Sequence, residues 1–316
     1  MKRVTILLVC TIFSASFLFS QQDFQGISGI NMDNYPRVDG STSTQPLNFI
    51  IAAKLLDLEY EWYNERMESL VSFKDYLELP ASFTEKLQLS QTHGAIINLI
   101  DNQTDLILVA RKMSADEKQY ANNAGVSLIE TPIALDALDF ILSVENSVNS
   151  LSVEQIQNIY LRNITNWSEI GSVSEDIIPF IRNANSGSQE MMNEIVMNNA
   201  GMPDWTVSYA DELTLFSMFI VYSELMANQN GICFTPHYYK EYMVFGFEKD
   251  NVKTLAINGI APDINSIKNK NYPFVANVYV SIRSDTNPNS MTYKLYEWLQ
   301  SKSGKDVIEE SGYVPN

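Results

Sequence analysis

Along most of the chain, short continuous apolar runs alternate with segments whose apolar positions recur three or four residues apart. Asp105–Ala110, Val126–Ile129, Gly231–Thr235 and Val252–Ile257 are runs of the first kind and predict strands, with a shorter one at Lys86–Leu89. Helical spacing follows Gly40–Pro46, where Leu47, Ile51, Leu55 and Leu58 share a face, and follows Ser90–Gly94, which opens Ala95–Ile100. It returns at Ser290–Leu299, with Tyr293, Leu295, Trp298 and Leu299 apolar. Ser114–Glu117 and Ser152–Gln155 have the Ser-x-x-Glu/Gln spacing of capping boxes and start helices that reach about Asn123 and Tyr160. An apolar helix is predicted near Leu213–Met226, residues 21–35 read as unstructured, and Tyr60–Leu79 mixes aromatic and charged positions without a clear period.

Strands alternating with helices predict an α/β fold with mostly parallel sheets. Two longer extended stretches, Pro132–Val144 and Phe274–Ile282, suit crossings between two lobes. Residues 21–131 with 272–316 would form the first lobe and 132–271 the second. Ligands of such folds sit beyond the strand ends, against helix starts, so a cleft between the lobes is the expected site.

Composition narrows the picture. The chain has 316 residues, of which 45% are hydrophobic, enough for one large or two medium globular units. Residues 1–20 read as a signal peptide: Lys2 and Arg3 precede the apolar stretch Val4–Phe19, with cleavage expected at Ser20–Gln21. Leu7-Leu8-Val9-Cys10 is a poor lipobox, so secretion is expected, with lipid anchoring at Cys10 as the alternative. Removing this leader takes away two cations and no acids, and the formal charge goes from −17 to −19. So acidic a chain argues against a nucleic-acid partner, but not against a small anion held by local dipoles. Cys233 would be the one remaining cysteine, which excludes an intrachain disulfide, and with only His93 and His237 a soft transition-metal site is not expected.

The candidate chemistry lies in Ile181-Arg182-Asn183-Ala184-Asn185-Ser186-Gly187-Ser188-Gln189-Glu190. An apolar run ends in Arg182, and Ser186 with Gln189 fits a capping box for a helix through Met197. A helix start carries unpaired N–H groups and a positive dipole end, Gly187 lets the backbone come close, and Arg182 adds a cation suited to an oxyanion. Gly40-Ser41-Thr42-Ser43-Thr44-Gln45-Pro46 and Ser90-Gln91-Thr92-His93-Gly94 repeat the hydroxyl-rich opening. Three such openings suit one site where helix ends converge.

These residues resemble a family. Asp39-Gly-Ser-Thr-Ser-Thr-Gln-Pro-Leu47 is similar to the opening motif of the phosphate-binding proteins of ABC transporters. Asp105–Arg111 resembles their Asp-Ile-Gly-Met-Ser-Ser-Arg strand, and Ile159–Trp167 their Ile-Tyr-x-Gly-x-Ile-Thr-x-Trp. Arg182-x-x-x-Ser-Gly-Ser188 keeps the spacing of their Arg-x-x-x-Ser-Gly-Thr, Gly231-Ile-Cys-Phe resembles Gly-Ile-Gly-Tyr, and Ser311–Pro315 resembles their C-terminal end. The ordered set covers nearly the whole mature chain. The resemblance implies a two-lobed, type II periplasmic-binding-protein-like fold that closes on inorganic phosphate, with no cofactor and no catalysis. It implies a monomeric, periplasmic protein that delivers its ligand to a membrane permease. It implies binding by Thr44, the backbone of Gln45, Thr92, Arg182, Ser186, Gly187 and Ser188, with Ser41 and Ser43 nearby.

One departure bears on selectivity. Members of the family place an Asp, or often a Ser, where this chain has Ala110. A carboxylate accepts the proton of a protonated phosphate and repels fully ionised sulfate. Asp136 and Asp139 are alternative acceptors, or else face a salt bridge or solvent, and His93 is an extra donor or an exposed cap residue. Another oxyanion, a phosphorylated small molecule or a phosphate-sensing role therefore stay open. A phosphohydrolase would need a base beside a hydroxyl, for which only His93 is near, and there is no Gly-x-Ser-x-Gly elbow.

Overall fold

A computed structural model describes residues 24–65, 68–198, 214–215 and 217–316; the expected signal peptide with Cys10 lies outside them. The organising element is a single strand of 16 residues, Leu128–Ser143, where the sequence suggested two separate runs. Pro132 explains the apparent break. It has no N–H to give a neighbour, and at that point the pairing slips by one residue: Tyr279 faces Pro132 while Val278 faces Ala134.

The strand changes partners along its length. Leu128–Ala137 pairs antiparallel with Val275–Arg283, and Leu138–Leu142 pairs antiparallel with Gly231–Pro236. On the first side, Val275–Arg283 also pairs antiparallel with Leu106–Val109, which pairs parallel with Val38–Gly40. On the second side, Gly231–Pro236 pairs parallel with Ile178–Pro179, and Val252–Thr254 pairs antiparallel with the strand's far end. The sheet is thus mixed, with parallel pairs at its outer positions. Antiparallel pairs lie where the crossing and returning strands meet, because a chain that goes over and comes back must run both ways.

Several predicted elements shift. Lys86–Leu89 contributes only a bridge from Leu87 to Val38. Val252–Ile257 breaks at Leu255, whose N–H turns to the Phe140 carbonyl, so Ala256–Ile257 pairs instead with Ser150–Leu151. The apolar helix begins at Ile220; Leu213 lies outside the described residues. Tyr60–Glu65 and Glu68–Phe73 form an antiparallel hairpin, clamped by the Gln45 side chain, which donates to the Val71 carbonyl at 2.7 Å and accepts from its N–H at 3.1 Å. Residues 24–35, expected to be unstructured, pack as turns, with the Gln25 carbonyl taking the Trp298 indole N–H at 2.6 Å. A last helix, Lys302–Glu310, went unpredicted. No helix among the described residues is long and apolar enough to cross a membrane.

Packing follows the pattern read from the sequence. Leu47, Ile51 and Leu55 of the helix Gln45–Leu56 enter a cluster that runs past Val278 and Val280 to Tyr222, Leu225 and Cys233. A second cluster joins Phe140, Tyr160, Trp167 and Phe234, and a third lies under Gln91–Ile100. Burial pushes the Cys233 thiol up to about 12.

Two acids sit buried where the long strand changes partners. Asp136 accepts from the N–H groups of Ala137 at 2.8 Å and Tyr238 at 3.0 Å, and Asp139 Oδ2 lies 2.9 Å from His237 Nδ1. Burial raises Asp136 to about 6, against the opposing charge of His237. Burial alone would lower His237, but the hydrogen bond and charge of Asp139, with Asp136 and Glu241, outweigh it and raise its pKa. A second buried ion pair ties the two sides of the molecule together. Arg111 grips Glu117 with both Nη atoms, at 2.6 and 2.9 Å, and Nη2 also donates to the Asn185 carbonyl at 2.7 Å. Ser114 Oγ adds a bond to the Asn185 side chain at 3.1 Å. Burial pushes the Glu117 carboxyl up, yet Arg111, His93 and the Ser114 N–H together hold it below its ordinary value.

Two outcomes follow. A carboxyl raised in the folded state contributes stability below its unfolded pKa and loses it as pH rises through the folded one. Wild type should therefore lose up to about 3 kcal/mol relative to Asp136→Asn between about pH 4 and pH 6, read from urea unfolding of both proteins across that range. Glu117→Ala leaves the Arg111 guanidinium buried without its carboxylate and should cost about 3–5 kcal/mol, whereas the double change Arg111→Met with Glu117→Leu should cost much less.

Candidate functional site

Asp39 builds the first wall of the site. Its buried carboxylate accepts from the N–H groups of Gly40 at 2.7 Å and Ser90 at 2.8 Å, and from Asn98 Nδ2 at 2.8 Å. One acid thus ties the end of Val38–Gly40 to the start of Gln91–Ile100. A Cβ on Gly40 would lie 2.6 Å from Thr44 Oγ1 and 2.7 Å from the Leu108 carbonyl, so glycine is needed where the chain turns into the site. Ser41 Oγ then accepts from the Ala110 N–H at 3.1 Å and shares a hydrogen bond with Thr92 Oγ1 at 2.8 Å.

The second wall starts from the short strand Ile181–Arg182. Ser186 caps the helix Gly187–Met191, its Oγ accepting from the Gln189 N–H at 3.2 Å. The expected capping box is only half made, because the Gln189 side chain accepts from the Arg182 N–H at 2.9 Å instead of reaching back to Ser186. That bond fixes the backbone of Arg182 against the helix start. The Arg182 side chain is buried, with Nη1 3.3 Å from Ser188 Oγ, and burial lowers its pKa against the influence of Cys233 and Tyr239. Gly187 touches the first wall: a Cβ there would lie 2.6 Å from Thr92 Oγ1.

Between the walls lies a cavity of about 540 Å³. Ser41, Ser43, Thr92, Arg182, Ser186, Gly187 and Ser188 all line it, as do Thr42 and His93. Three segments far apart in the chain are therefore brought to one hollow. Thr44 and Gln45 are not among the lining residues. Thr44 Oγ1 turns inward to the carbonyls of Leu108 and Ser41, the Gln45 N–H goes to the Thr42 carbonyl, and the Gln45 side chain holds the hairpin. The loop's exposed edge is Ser41–Ser43, one step earlier than the motif suggested.

The other candidates sort as follows. Ala110 lines the cavity and contributes only its methyl group and backbone. Asp136 and Asp139 do not line it; Asp139 is in a salt bridge with His237, and Asp136 is buried against the N–H groups of Ala137 and Tyr238. His93 is half exposed and its Nδ1 lies 2.8 Å from Glu117 Oε1, while no described hydroxyl bonds to its ring. Sequence reasoning missed Glu68, which enters the cavity wall from the hairpin and accepts a hydrogen bond from Tyr239 Oη. It also missed Asn185, whose left-handed backbone (φ 61°) and carbonyl meet Arg111 across the cleft. The Asx residue before Ser-Gly-Ser was the available signal for the second; the unassigned pattern of residues 60–79 hid the first. Among the described residues no cluster of His, Cys, Asp or Glu could hold a metal ion.

Hydroxyl groups, first-turn amides of Gly187 and Ser188, and one buried guanidinium around a single hollow make a site for an anion with several oxygens. Comparison with known proteins agrees in kind. SphX of Synechococcus elongatus is 25% identical over 242 residues, covering 72% of this chain and 67% of that protein. The phosphate-binding protein PstS of Borreliella burgdorferi is 23% identical over 201 residues, covering 58% of this chain and 65% of its own length. The chain thus spans about two thirds of the length of these relatives. Among solved structures, a Clostridium perfringens protein assigned as a phosphate ABC transporter substrate-binding protein, with phosphate bound, superposes with a TM-score of 0.62 at 21% identity. That match covers 90% of this chain and 100% of the other. An ABC-type phosphate transport receptor of Vibrio cholerae gives 0.58 at 19%, over 88% and 98% of the two chains. At these identities the likeness is one of fold, and that fold is two-lobed α/β. A family model described as the PBP superfamily domain matches residues 81–303, and the chain belongs to that superfamily.

Proposed function

We propose that this protein captures inorganic phosphate between two lobes and hands it to the membrane permease of an ABC transporter, without acting on it chemically. The observation that carries the reading is the convergence of Ser41–Ser43, Thr92 and Arg182–Ser188 on one cavity. Hydroxyls and amides replace the ion's hydration shell, and the Arg182 guanidinium supplies the counter-charge. Each charge-assisted hydrogen bond contributes on the order of 1.5–3 kcal/mol, and together they must offset desolvation of the ion and the ordering of the lobes. The names of the relatives point the same way.

In this reading the first lobe comprises residues 21–131 and 272–316 and the second 132–271. The partner change between Ala137 and Leu138 supports that division, and bending there would open and close the cleft. The Arg111–Asn185 contact and the fit of Gly187 on Thr92 then belong to the closed form. In the same reading the leader directs export from the cytoplasm, and the protein works outside it as a monomer.

A second reading has its own observation. The cavity exceeds what one phosphate ion fills, and Ala110 leaves room where the family's Asp or Ser would sit. A phosphorylated small molecule would use the same oxyanion grip with its organic part toward Ser217 and Met218. Titration with phosphate, sulfate, molybdate and phosphate esters separates the two.

Arg182→Ala should weaken phosphate binding by about 2–5 kcal/mol while the melting transition stays cooperative. Calorimetry showing the wild-type affinity in this variant would remove the assignment.

A further inference from the structure

We infer that Glu68 is the residue that lets this site tell a protonated oxyanion from one that carries no proton. The inference rests on the oxyanion-binding reading above and adds to it the acceptor that Ala110 does not provide.

The geometry has three parts. Glu68 lines the same cavity as Arg182 and Ser41–Ser43, although it comes from a hairpin whose remaining outer strand, Tyr60–Glu65, faces solvent. Its place is fixed from both sides. The hairpin is clamped by Gln45 on one side, and a bridge joins Glu68 to Val244 on the other. Finally, Tyr239 Oη donates to Glu68 Oε1, so the carboxylate is aimed and half satisfied, while Oε2 accepts from no described residue. Burial raises the Tyr239 phenol first, the charge of Glu68 raises it further, and the charge of Arg182 opposes them. Glu68 and Arg182 therefore both act on the Tyr239 phenol, and both line the cavity.

A carboxylate in an anion site is costly unless the ligand brings a proton. An ionised carboxylate only accepts hydrogen bonds. A phosphate or arsenate ion near neutral pH keeps a P–OH or As–OH group that can donate to Oε2. Sulfate is the same shape and charge but has no proton, so sulfate and the Glu68 carboxylate would lie as two unpaired anions at hydrogen-bond distance. Discrimination then comes from a repulsive element against the wrong ligand as much as from attraction to the right one. The same carboxylate, through Tyr239, lies in a contact between the hairpin and the segment Tyr239–Met243, so filling the cavity and closing over it share one group.

The test is a titration of phosphate, arsenate and sulfate into wild type, Glu68→Gln and Tyr239→Phe, each first shown to melt like wild type. Wild type should prefer phosphate and arsenate over sulfate by about 100-fold or more, and Glu68→Gln should narrow that ratio by about tenfold or more, mainly through tighter sulfate binding. Tyr239→Phe keeps the carboxylate and should keep the ratio within about threefold. A merely structural role for Glu68 would weaken all three ions alike, and that outcome, or an unchanged ratio in Glu68→Gln, overturns the inference while leaving phosphate capture standing. A wild-type chain that binds none of the three ions ends the proposed function itself, and the inference with it.

Discussion

The structure depends on one strand serving two sheets. Leu128–Ser143 is hydrogen-bonded to Val275–Arg283 in its first part and to Gly231–Pro236 in its second, so neither half of the molecule has a complete sheet without it. Residues 133–143 are all buried, which explains why the run is apolar apart from Asp136, Asp139 and Ser143. It also makes the two acids within it costly. Asp136 and Asp139 are retained with one oxygen each lacking a partner, held by His237 and by backbone N–H groups at the point where the strand changes sheets. Stability is given up where the two halves of the sheet join.

In the proposed reading, a chain with a formal charge of −17 has to accommodate an anion. Its net field is unfavourable, so the attraction is local: hydroxyl dipoles, helix-start amides and Arg182, shut away from screening water. The supporting acids are turned away from the hollow. Asp39 is saturated by three N–H donors beneath the loop, and Glu117 is occupied by Arg111, His93 and Ser114. Both of these carboxylates position neighbours, and among the described residues Glu68 is the acid that lines the hollow.

How much of this was legible beforehand depended on the range of the signals. The capping boxes at Ser114 and Ser152 formed as spaced, because both of their bonds lie within four residues. The apolar face Leu47, Ile51 and Leu55 was buried as its period required. The convergence of three hydroxyl-rich openings also followed, because helix starts of α/β folds gather at one edge of the sheet. What failed were details set by distant partners. Gln189 abandoned Ser186 for the Arg182 backbone, and Thr44 turned into the core because the Leu108 carbonyl lay beneath it. Pro132 looked like a strand boundary and is a bulge, since the partner strand, invisible in a linear reading, absorbs the slip. The hairpin carrying Glu68 has one face in water and the other against Gln45, and neither face is apolar enough to show a period.

Cys233 has a consequence of a different kind. Its thiol is wholly enclosed between the long strand and the helix Ile220–Ala227, and burial holds it far from ionisation. Disulfide exchange needs a thiolate that another sulfur can approach, and this one meets neither condition in the folded state. Packing alone makes the sulfur inert: while the fold holds, an oxidant finds nothing there to attack, and two copies cannot be crosslinked through it.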